Sequence, residues 1–111
     1  YGAKGSQAVD EYKSALYYQL MREWSNANGI TCFYFEAFDE NWKNSANPLH
    51  SENHFGLINL QSQAKFVIWE AVDKKVFNGL TRNGKPITKT YNGSEQALWN
   101  DVIVPSKIIT N

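Results

Sequence analysis

Apolar residues along the chain fall into two helical patterns with a short continuous run between them. In the first pattern, from Ser6 to about residue 26, apolar side chains recur every three or four positions, which predicts a helix with Ser6 as its N-cap. In the second pattern, Ser62 is the predicted N-cap of a helix that ends near residue 77. The apolar positions are Val9, Tyr12, Leu16, Leu20 and Trp24 in the first pattern, and Phe66, Trp69, Val72, Val76 and Leu80 in the second. Each stripe predicts a core-facing surface.

The run between the two patterns, ITCFYF at residues 30–35, is apolar or nearly so at successive positions instead of alternating. This is typical of a β-strand whose two faces are both covered. Cys32 is then expected to be a small buried apolar residue. The run leads directly into the polar cluster EAFDENWK at residues 36–43. We therefore expect a functional site at the C-terminal end of this strand.

A long polar segment and several turns follow the strand. Residues 39–59 are rich in Asn and Ser, which predicts a long functional loop. The apolar island FGLI at residues 55–58 is expected to anchor this loop to the body. Asn-Gly pairs at residues 83–84 and 92–93 predict turns, and residues 95–99 predict a short helical turn. Residues 81–111 as a whole, with their β-branched tail around Pro105, are expected to form an irregular extension that packs under the body.

The predicted elements contain too few strands for a closed layered domain. A strand that is covered on both faces also needs hydrogen-bonded neighbours along both edges. This chain of 111 residues offers one strongly apolar strand. We therefore expect residues 1–111 to belong to a larger α/β structure, either as the end of a longer protein or as a subunit that completes another chain.

Composition and charge narrow the classes of function. Eleven basic and eleven acidic residues cancel, so no overall field would attract nucleic acid or anionic lipid. No apolar run approaches the ~18 residues that a membrane helix needs, and the first residues lack the pattern of a signal peptide. The single cysteine excludes an internal disulfide and a thiolate metal cluster. We predict no nucleic-acid partner, no membrane partner and no cofactor.

Two motifs, FEAFDENWK at residues 35–43 and ENHFGL at residues 52–57, resemble motifs of the β-1,3-glucanases of glycoside hydrolase family 17. Residues 35–43, FEAFDENWK, are similar to FEAFDEPWK in microbial members and to FALFNENQK in plant members. Asn41 stands where microbial members usually have proline. Residues 52–57, ENHFGL, are similar to the following motif, ERNFGLF, of plant members.

The resemblance implies an α/β fold, the (β/α)8 TIM barrel, and hydrolysis of β-1,3-glucan with retention of configuration. Residues 1–111 would be the C-terminal part of a single catalytic domain: the seventh helix, the eighth strand, the active-site loop, the eighth helix and the tail. The partners would be a glucan chain and the remaining part of the barrel. Because a polymeric substrate is extracellular, the enzyme is expected to be secreted, periplasmic or on the cell surface.

The same resemblance implies that this chain contains no catalytic residue. In the family, the nucleophile is a Glu at the end of the seventh strand in a Gly-Trp-Pro-containing motif, and the acid/base is a Glu on the fourth strand. Neither motif is present here. Both catalytic carboxylates would therefore lie upstream of Tyr1.

Acidic and basic residues of the polar cluster are the first candidates for substrate-binding or supporting roles. In an extended strand, Glu36 and Glu40 would be roughly 13 Å apart, whereas the carboxyl groups of a retaining pair lie about 5 to 5.5 Å apart. They would be too distant unless the chain folds back. We expect Glu40 and Lys43 to form a charged pair that supports the reaction centre, with a plain surface ion pair as the alternative. Glu36 is expected to hydrogen-bond sugar hydroxyls or to make a buried structural bond.

Three neighbouring residues complete the candidates. Asp39 is adjacent to Glu40 and is expected to point to the opposite face. Phe38 and Trp42 are candidates for stacking on pyranose rings, whose C–H faces suit aromatic planes. Core packing is the alternative for both aromatic side chains.

The segment HSENH at residues 50–54 places two histidines and a glutamate at alternate positions. On a regular strand these side chains would face one way and suit a metal ion, but a loop gives no such alignment. We therefore predict no metal site, and expect Glu52 and His54 to tie the loop to the strand end.

The predicted function is part of a retaining endo-β-1,3-glucanase that acts on laminarin-type glucan. Two alternatives stay open. One is a β-1,3-glucan transglycosylase on the same fold, and the other is a non-catalytic carbohydrate-binding module that uses the aromatic residues as a platform.

Overall fold

The structure, a computed structural model, describes residues 10–102. These residues form a small mixed arrangement of helices and very short strands. The helices are α1 (Glu11–Ala27), α2 (Trp69–Asp73) and α3 (Glu95–Asn100), and the strands are β1 (Gln63–Ala64), β2 (Thr81–Arg82), β3 (Lys85–Pro86) and β4 (Thr88–Lys89). Single 3₁₀ segments cover Ser51–Asn53, Phe66–Ile68 and Thr90–Gly93. No helix in residues 10–102 combines the length and apolar character needed to cross a membrane.

Helix α1 begins at Glu11 and not near Ser6, which lies outside the described residues together with Val9. Asp10 is the N-cap: its backbone is extended, and its Oδ1 accepts a hydrogen bond from the Lys13 N–H at 2.8 Å. The Lys13 ammonium also contacts Asp10 Oδ2 at 2.5 Å. An aspartate in this position satisfies a first-turn amide that has no partner within the helix. The predicted start was wrong because Asp10 caps the helix.

The apolar stripe of α1 is largely exposed in the described part of the protein. Leu16 is 39%, Leu20 59% and Trp24 54% exposed. Near the start of the helix, the Tyr12 ring packs 4.5 Å from the Trp99 ring, measured between centroids. The predicted core face is therefore wrong along most of the helix within residues 10–102, where these side chains lie in solvent.

Residues 30–35 do not form the predicted strand. Phe33 is 91% and Phe35 64% exposed, and Cys32 is exposed instead of buried. Among the described residues, the backbone groups of residues 31–35 make no hydrogen bond. The predictions of a covered strand and of a buried Cys32 are wrong here because a strand needs neighbours along its edges, and residues 10–102 supply none to this segment.

The second predicted helix is broken into shorter pieces. Ser62 has φ of +64° and its hydroxyl donates to the Arg82 carbonyl at 2.8 Å, so it does not cap a helix. After it come β1, the 3₁₀ segment Phe66–Ile68 and then α2. Strand β1 pairs in parallel with β4, and an extended pairing of this kind is incompatible with helical hydrogen bonding of the same backbone groups. The predicted helix start was therefore wrong.

A buried hydrogen-bonded chain connects the beginning of the structure to its end. The Trp69 indole N–H lies 3.1 Å from the Ala64 carbonyl and 3.1 Å from the Thr90 hydroxyl oxygen. The Thr90 hydroxyl in turn donates to Glu11 Oε2 at 2.9 Å. Leu98, which is 1% exposed, completes this small core. Segments distant in sequence are thereby held together.

The predicted turns are confirmed. Asn83 and Gly84 connect β2 to β3, which form an antiparallel hairpin, and both have positive φ, 51° and 74°. This is the two-residue hairpin turn that Asn-Gly favours. Residues 92–93 also have positive φ, and the predicted helical turn is α3, where the Ser94 hydroxyl accepts from the Ala97 N–H. The prediction of an irregular extension is wrong for residues 81–102, because they form β2, β3, β4 and α3. The tail around Pro105 lies outside the described residues.

Candidate functional site

Three charged side chains meet directly after the extended apolar segment. The Lys43 ammonium donates to Glu36 Oε1, and it lies 3.2 Å from Glu40 Oε2. The side chains of Lys43, Glu36 and Glu40 are 13%, 14% and 33% exposed. The predicted ion pair between Glu40 and Lys43 is therefore present, and Glu36 joins it. We call these three residues the Lys43 cluster.

The chain turns after Glu40, so the Lys43 cluster does not have the geometry of an extended strand. Residues 41–46 form bends and turns. Two carboxylate oxygens that contact one nitrogen are at most about 6 Å apart, two hydrogen-bond lengths. Glu36 and Glu40 are thus much closer than the extended geometry predicted.

Proximity alone does not make Glu36 and Glu40 a catalytic pair. A retaining pair flanks the glycosidic bond, but here the Lys43 ammonium occupies the position between the carboxylates. Desolvation lowers the Lys43 pKa, yet the hydrogen bonds that the ammonium donates to Glu36 and Glu40 outweigh this effect and raise the pKa above its usual value. The cluster therefore holds a permanent positive charge beside two carboxylates, which suits it to orienting neighbouring groups.

Asp39 points away from this cluster, as the alternation of the strand predicted. Its side chain is 2% exposed. Oδ1 accepts from the Lys65 ammonium at 2.7 Å and from the Gly56 N–H at 2.8 Å, and Oδ2 lies 3.3 Å from His54 Nδ1. The contacts of the Asp39 carboxylate are thus with the protein itself. This favours the supporting role of Asp39 over the substrate-binding role.

His54 ties the loop to Asp39, in the polar cluster that follows residues 30–35, as predicted. Its Nδ1 faces Asp39, and its Nε2 lies 2.9 Å from the Pro48 carbonyl. The corresponding prediction for Glu52 is wrong, because its side chain is exposed and its contact is a backbone one, from its N–H to His50 Nδ1 at 3.2 Å. In residues 10–102, no three His, Cys, Asp or Glu side chains form a group that could hold a metal ion.

Asn53 closes the loop and was missed from the sequence. It is 1% exposed. Its side-chain oxygen accepts from the Asn44 N–H at 2.9 Å, and its amide group donates to the carbonyls of Asn44 and Asn47 at 2.8 and 3.2 Å. Its own carbonyl accepts from the Glu40 N–H at 3.2 Å. An asparagine in an Asn-rich loop offers no signal that distinguishes it from its neighbours.

Lys65 and Gly56 were also missed, although both determine how the loop docks. Lys65 donates to Asp39 and, at 2.9 Å, to the His54 carbonyl. Burial lowers the Lys65 pKa although the charge of Asp39 opposes this effect. At Gly56, an added Cβ would lie 2.1 Å from the Asp39 backbone nitrogen. Only a residue without a side chain fits this approach.

The two aromatic candidates differ in accessibility. Trp42 is 69% exposed, so its indole is available for stacking. Phe38 is 40% exposed, but the Arg82 guanidinium carbon lies 4.0 Å from its ring centroid. This cation–π contact already covers part of the Phe38 ring, so Trp42 is the better stacking candidate.

No family model and no curated protein matches the chain. Among solved structures, the crystal structure of an endo-laminarinase from Formosa Hel1_33_131 is similar to it, with a TM-score of 0.89 and 57% sequence identity over 100% of this chain. The match covers 29% of the endo-laminarinase chain. This chain is therefore similar, over its whole length, to one part of a larger glycoside hydrolase.

Proposed function

We propose that this chain is the C-terminal part of the (β/α)8 catalytic barrel of a retaining endo-β-1,3-glucanase of glycoside hydrolase family 17. The complete protein would hydrolyse laminarin-type glucan. The observation that carries the proposal is the similarity of the entire chain to part of an endo-laminarinase, at 57% identity. The motifs at residues 35–43 and 52–57 support the family.

The exposed apolar segment at residues 30–35 supports a barrel. Its side chains are in solvent and the backbone groups of residues 31–35 are unpaired within the described part of the chain. A barrel strand has a neighbour on each edge, side chains inside and helices outside. The remaining strands and helices of such a barrel would bury this segment. The exposed apolar stripe of α1 would then pack against the other parts of the barrel.

The Lys43 cluster then lies where barrel enzymes carry their active sites, at the C-terminal end of a strand. In this proposal, the two catalytic carboxylates come from other strands. A lysine near the nucleophile favours its ionised form, and Glu36 and Glu40 keep the lysine charged and in place. Trp42 offers an aromatic face to a pyranose ring.

We also propose that the complete enzyme is exported. Laminarin-type glucan is a polymer, and a hydrolase must meet it outside the cytoplasm before shorter products can be taken up. Detection of activity in the culture medium or at the surface of intact cells tests this point, and activity confined to the lysate of washed cells would contradict it.

The direct test is turnover of laminarin by the complete gene product. We expect a ladder of short oligosaccharides, no products from a β-1,4-glucan, and initial formation of the β-anomer in proton NMR, which marks retention. Products longer than the substrate would indicate the transglycosylase, and glucan affinity without turnover would indicate the binding module. Either outcome would overturn the proposed hydrolase.

A further inference from the structure

The Lys43 ammonium contacts two aromatic rings in addition to its two carboxylates. Its Nζ lies 4.3 Å from the centroid of the Phe35 ring and 5.4 Å from that of Phe55. The two ring centroids are 6.3 Å apart and their planes are inclined by 66°. The rings therefore form an angled pair beside the ammonium, which we call the aromatic notch.

Phe55 is held in place by its own backbone and by its neighbour. Its carbonyl accepts hydrogen bonds from the Glu36 N–H and the Tyr34 hydroxyl, each at 3.2 Å. The next residue, Gly56, donates its N–H to the buried Asp39 carboxylate. The backbone of Phe55 is thus fixed by the return of the loop, through groups other than Lys43.

The Lys43 ammonium can act as a charge at a fixed position only if the surrounding groups restrict its movement. Its four-carbon stem is flexible, and an ammonium has no preferred direction for its hydrogen bonds. Glu40 is one-third exposed, so its carboxylate alone does not confine the ammonium. The negative face of an aromatic ring attracts a cation, and the apolar ring excludes water from one side of it.

We propose that Phe55 is a positioning residue that, together with Phe35, holds the Lys43 ammonium between Glu36 and Glu40. The consequence for turnover rests on the proposed function, whereas the effect on Lys43 itself does not. Phe55 touches no reacting atom in this account. It acts through Lys43.

The first test is a double-mutant cycle in the complete enzyme. Phe55→Leu keeps an apolar side chain but removes the ring. We expect kcat on laminarin to fall about threefold with little change in KM, as for the loss of a cation–π contact to a residue that is 37% exposed. In a Lys43→Met background the same change should cause no further loss. Equal losses in both backgrounds would overturn the proposal, because a merely structural residue acts independently of Lys43.

The matched control is Phe66→Leu. Phe66, like Phe55, is a phenylalanine with an aromatic neighbour, since its ring lies 5.1 Å from Trp69 between centroids. Its substitution perturbs packing without touching Lys43. We expect any loss of activity caused by this change to be the same with and without Lys43→Met, and coupling equal to that of Phe55→Leu would refute a specific role.

The second test does not depend on activity. In the complete protein labelled with ¹³C-lysine, the ε-methylene signal of Lys43, assigned by its absence in Lys43→Met, should be shifted upfield by the two rings. Phe55→Leu should remove part of this shift, and an unchanged signal would refute the proposal. If the complete protein fails to hydrolyse laminarin, the proposed function falls, and the NMR result still decides the role of Phe55.

Discussion

The buried ion pair between Lys65 and Asp39 offers a sharp test of how residues 39–59 are held. The two side chains are 4% and 2% exposed, and Nζ lies 2.7 Å from Oδ1. Lys65→Met keeps an unbranched side chain and removes the ammonium. The Asp39 carboxylate then stays buried with the Gly56 N–H and His54 as partners.

The expected loss follows from the burial. Removing one partner of a buried ion pair costs about 3 to 5 kcal/mol of unfolding free energy, because the other charge is left without compensation. The two remaining contacts of Asp39 offset part of this cost, so we expect a loss of about 3 kcal/mol. Replacing both charges, in Asp39→Asn with Lys65→Met, should be milder than the sum of the single changes.

The assay is urea denaturation of the complete protein, with exchange of the Gly56 amide hydrogen as a local probe. The four proteins of the cycle give the coupling between Asp39 and Lys65, which we expect to be about 1 to 3 kcal/mol. Lys74→Met is the control: Lys74 lies at the same 2.7 Å from Glu70, but these side chains are 68% and 78% exposed. We expect no measurable change there.

Two results would refute this reasoning. The first is a loss below about 1 kcal/mol for Lys65→Met, which is less than an uncompensated buried carboxylate costs. The second is strict additivity of the two substitutions. In either case the loop would be held by Asn53 and the backbone contacts, and not by the buried charges.

Three further predictions concern other parts of the structure. Gly56→Ala should destabilise the complete protein by about 3 kcal/mol or more in urea denaturation. The added Cβ meets the backbone of Asp39, and no rotamer relieves the clash. Wild-type stability of the variant would contradict this prediction. Burial raises the Glu11 pKa above 4.5 despite the hydrogen bond from Thr90, so the folded state binds more protons and loses stability as the pH rises from 4.5 through the raised pKa. Glu11→Gln keeps an acceptor for Thr90 and removes the buried charge, so the variant should be more stable than wild type at pH 7 but not below pH 4.5. A difference in stability that is independent of pH would show that the buried charge of Glu11 carries no cost. Glu40→Gln should lower kcat on laminarin by about an order of magnitude or more, and unchanged kinetics at unchanged stability would remove its supporting role.

Features that depend on near neighbours were predicted well from the sequence. The Asn-Gly turn at residues 83–84 follows from the ease with which both residues adopt positive φ. The pair Glu40 and Lys43 lies within three positions, so a single turn brings the charges together. Asp39 and Glu40 are adjacent, and adjacent residues of an extended chain point to opposite faces. Their placement on different sides was therefore predicted from the sequence.

Features that depend on distant partners were mispredicted or missed. Lys65 is separated from Asp39 by 26 positions and Thr90 from Glu11 by 79, and no local pattern records either contact. Serine is a residue type that often caps helices, but the Ser62 hydroxyl donates a hydrogen bond to the carbonyl of Arg82. Its role was decided by the packing of the hairpin against it.

The sequence by itself therefore determined the local turns, the polar loop, the charged pair that follows the apolar run and the motifs that point to a glucan hydrolase. The tertiary structure alone decided which charges are buried, which asparagine closes the loop and which apolar side chains stay in solvent. The physical reason is that burial and edge pairing are properties of neighbours in space. At residues 30–35 the apolar sequence specifies a covered strand, but within residues 10–102 the backbone groups of residues 31–35 have no hydrogen-bond partner and the side chains stay exposed.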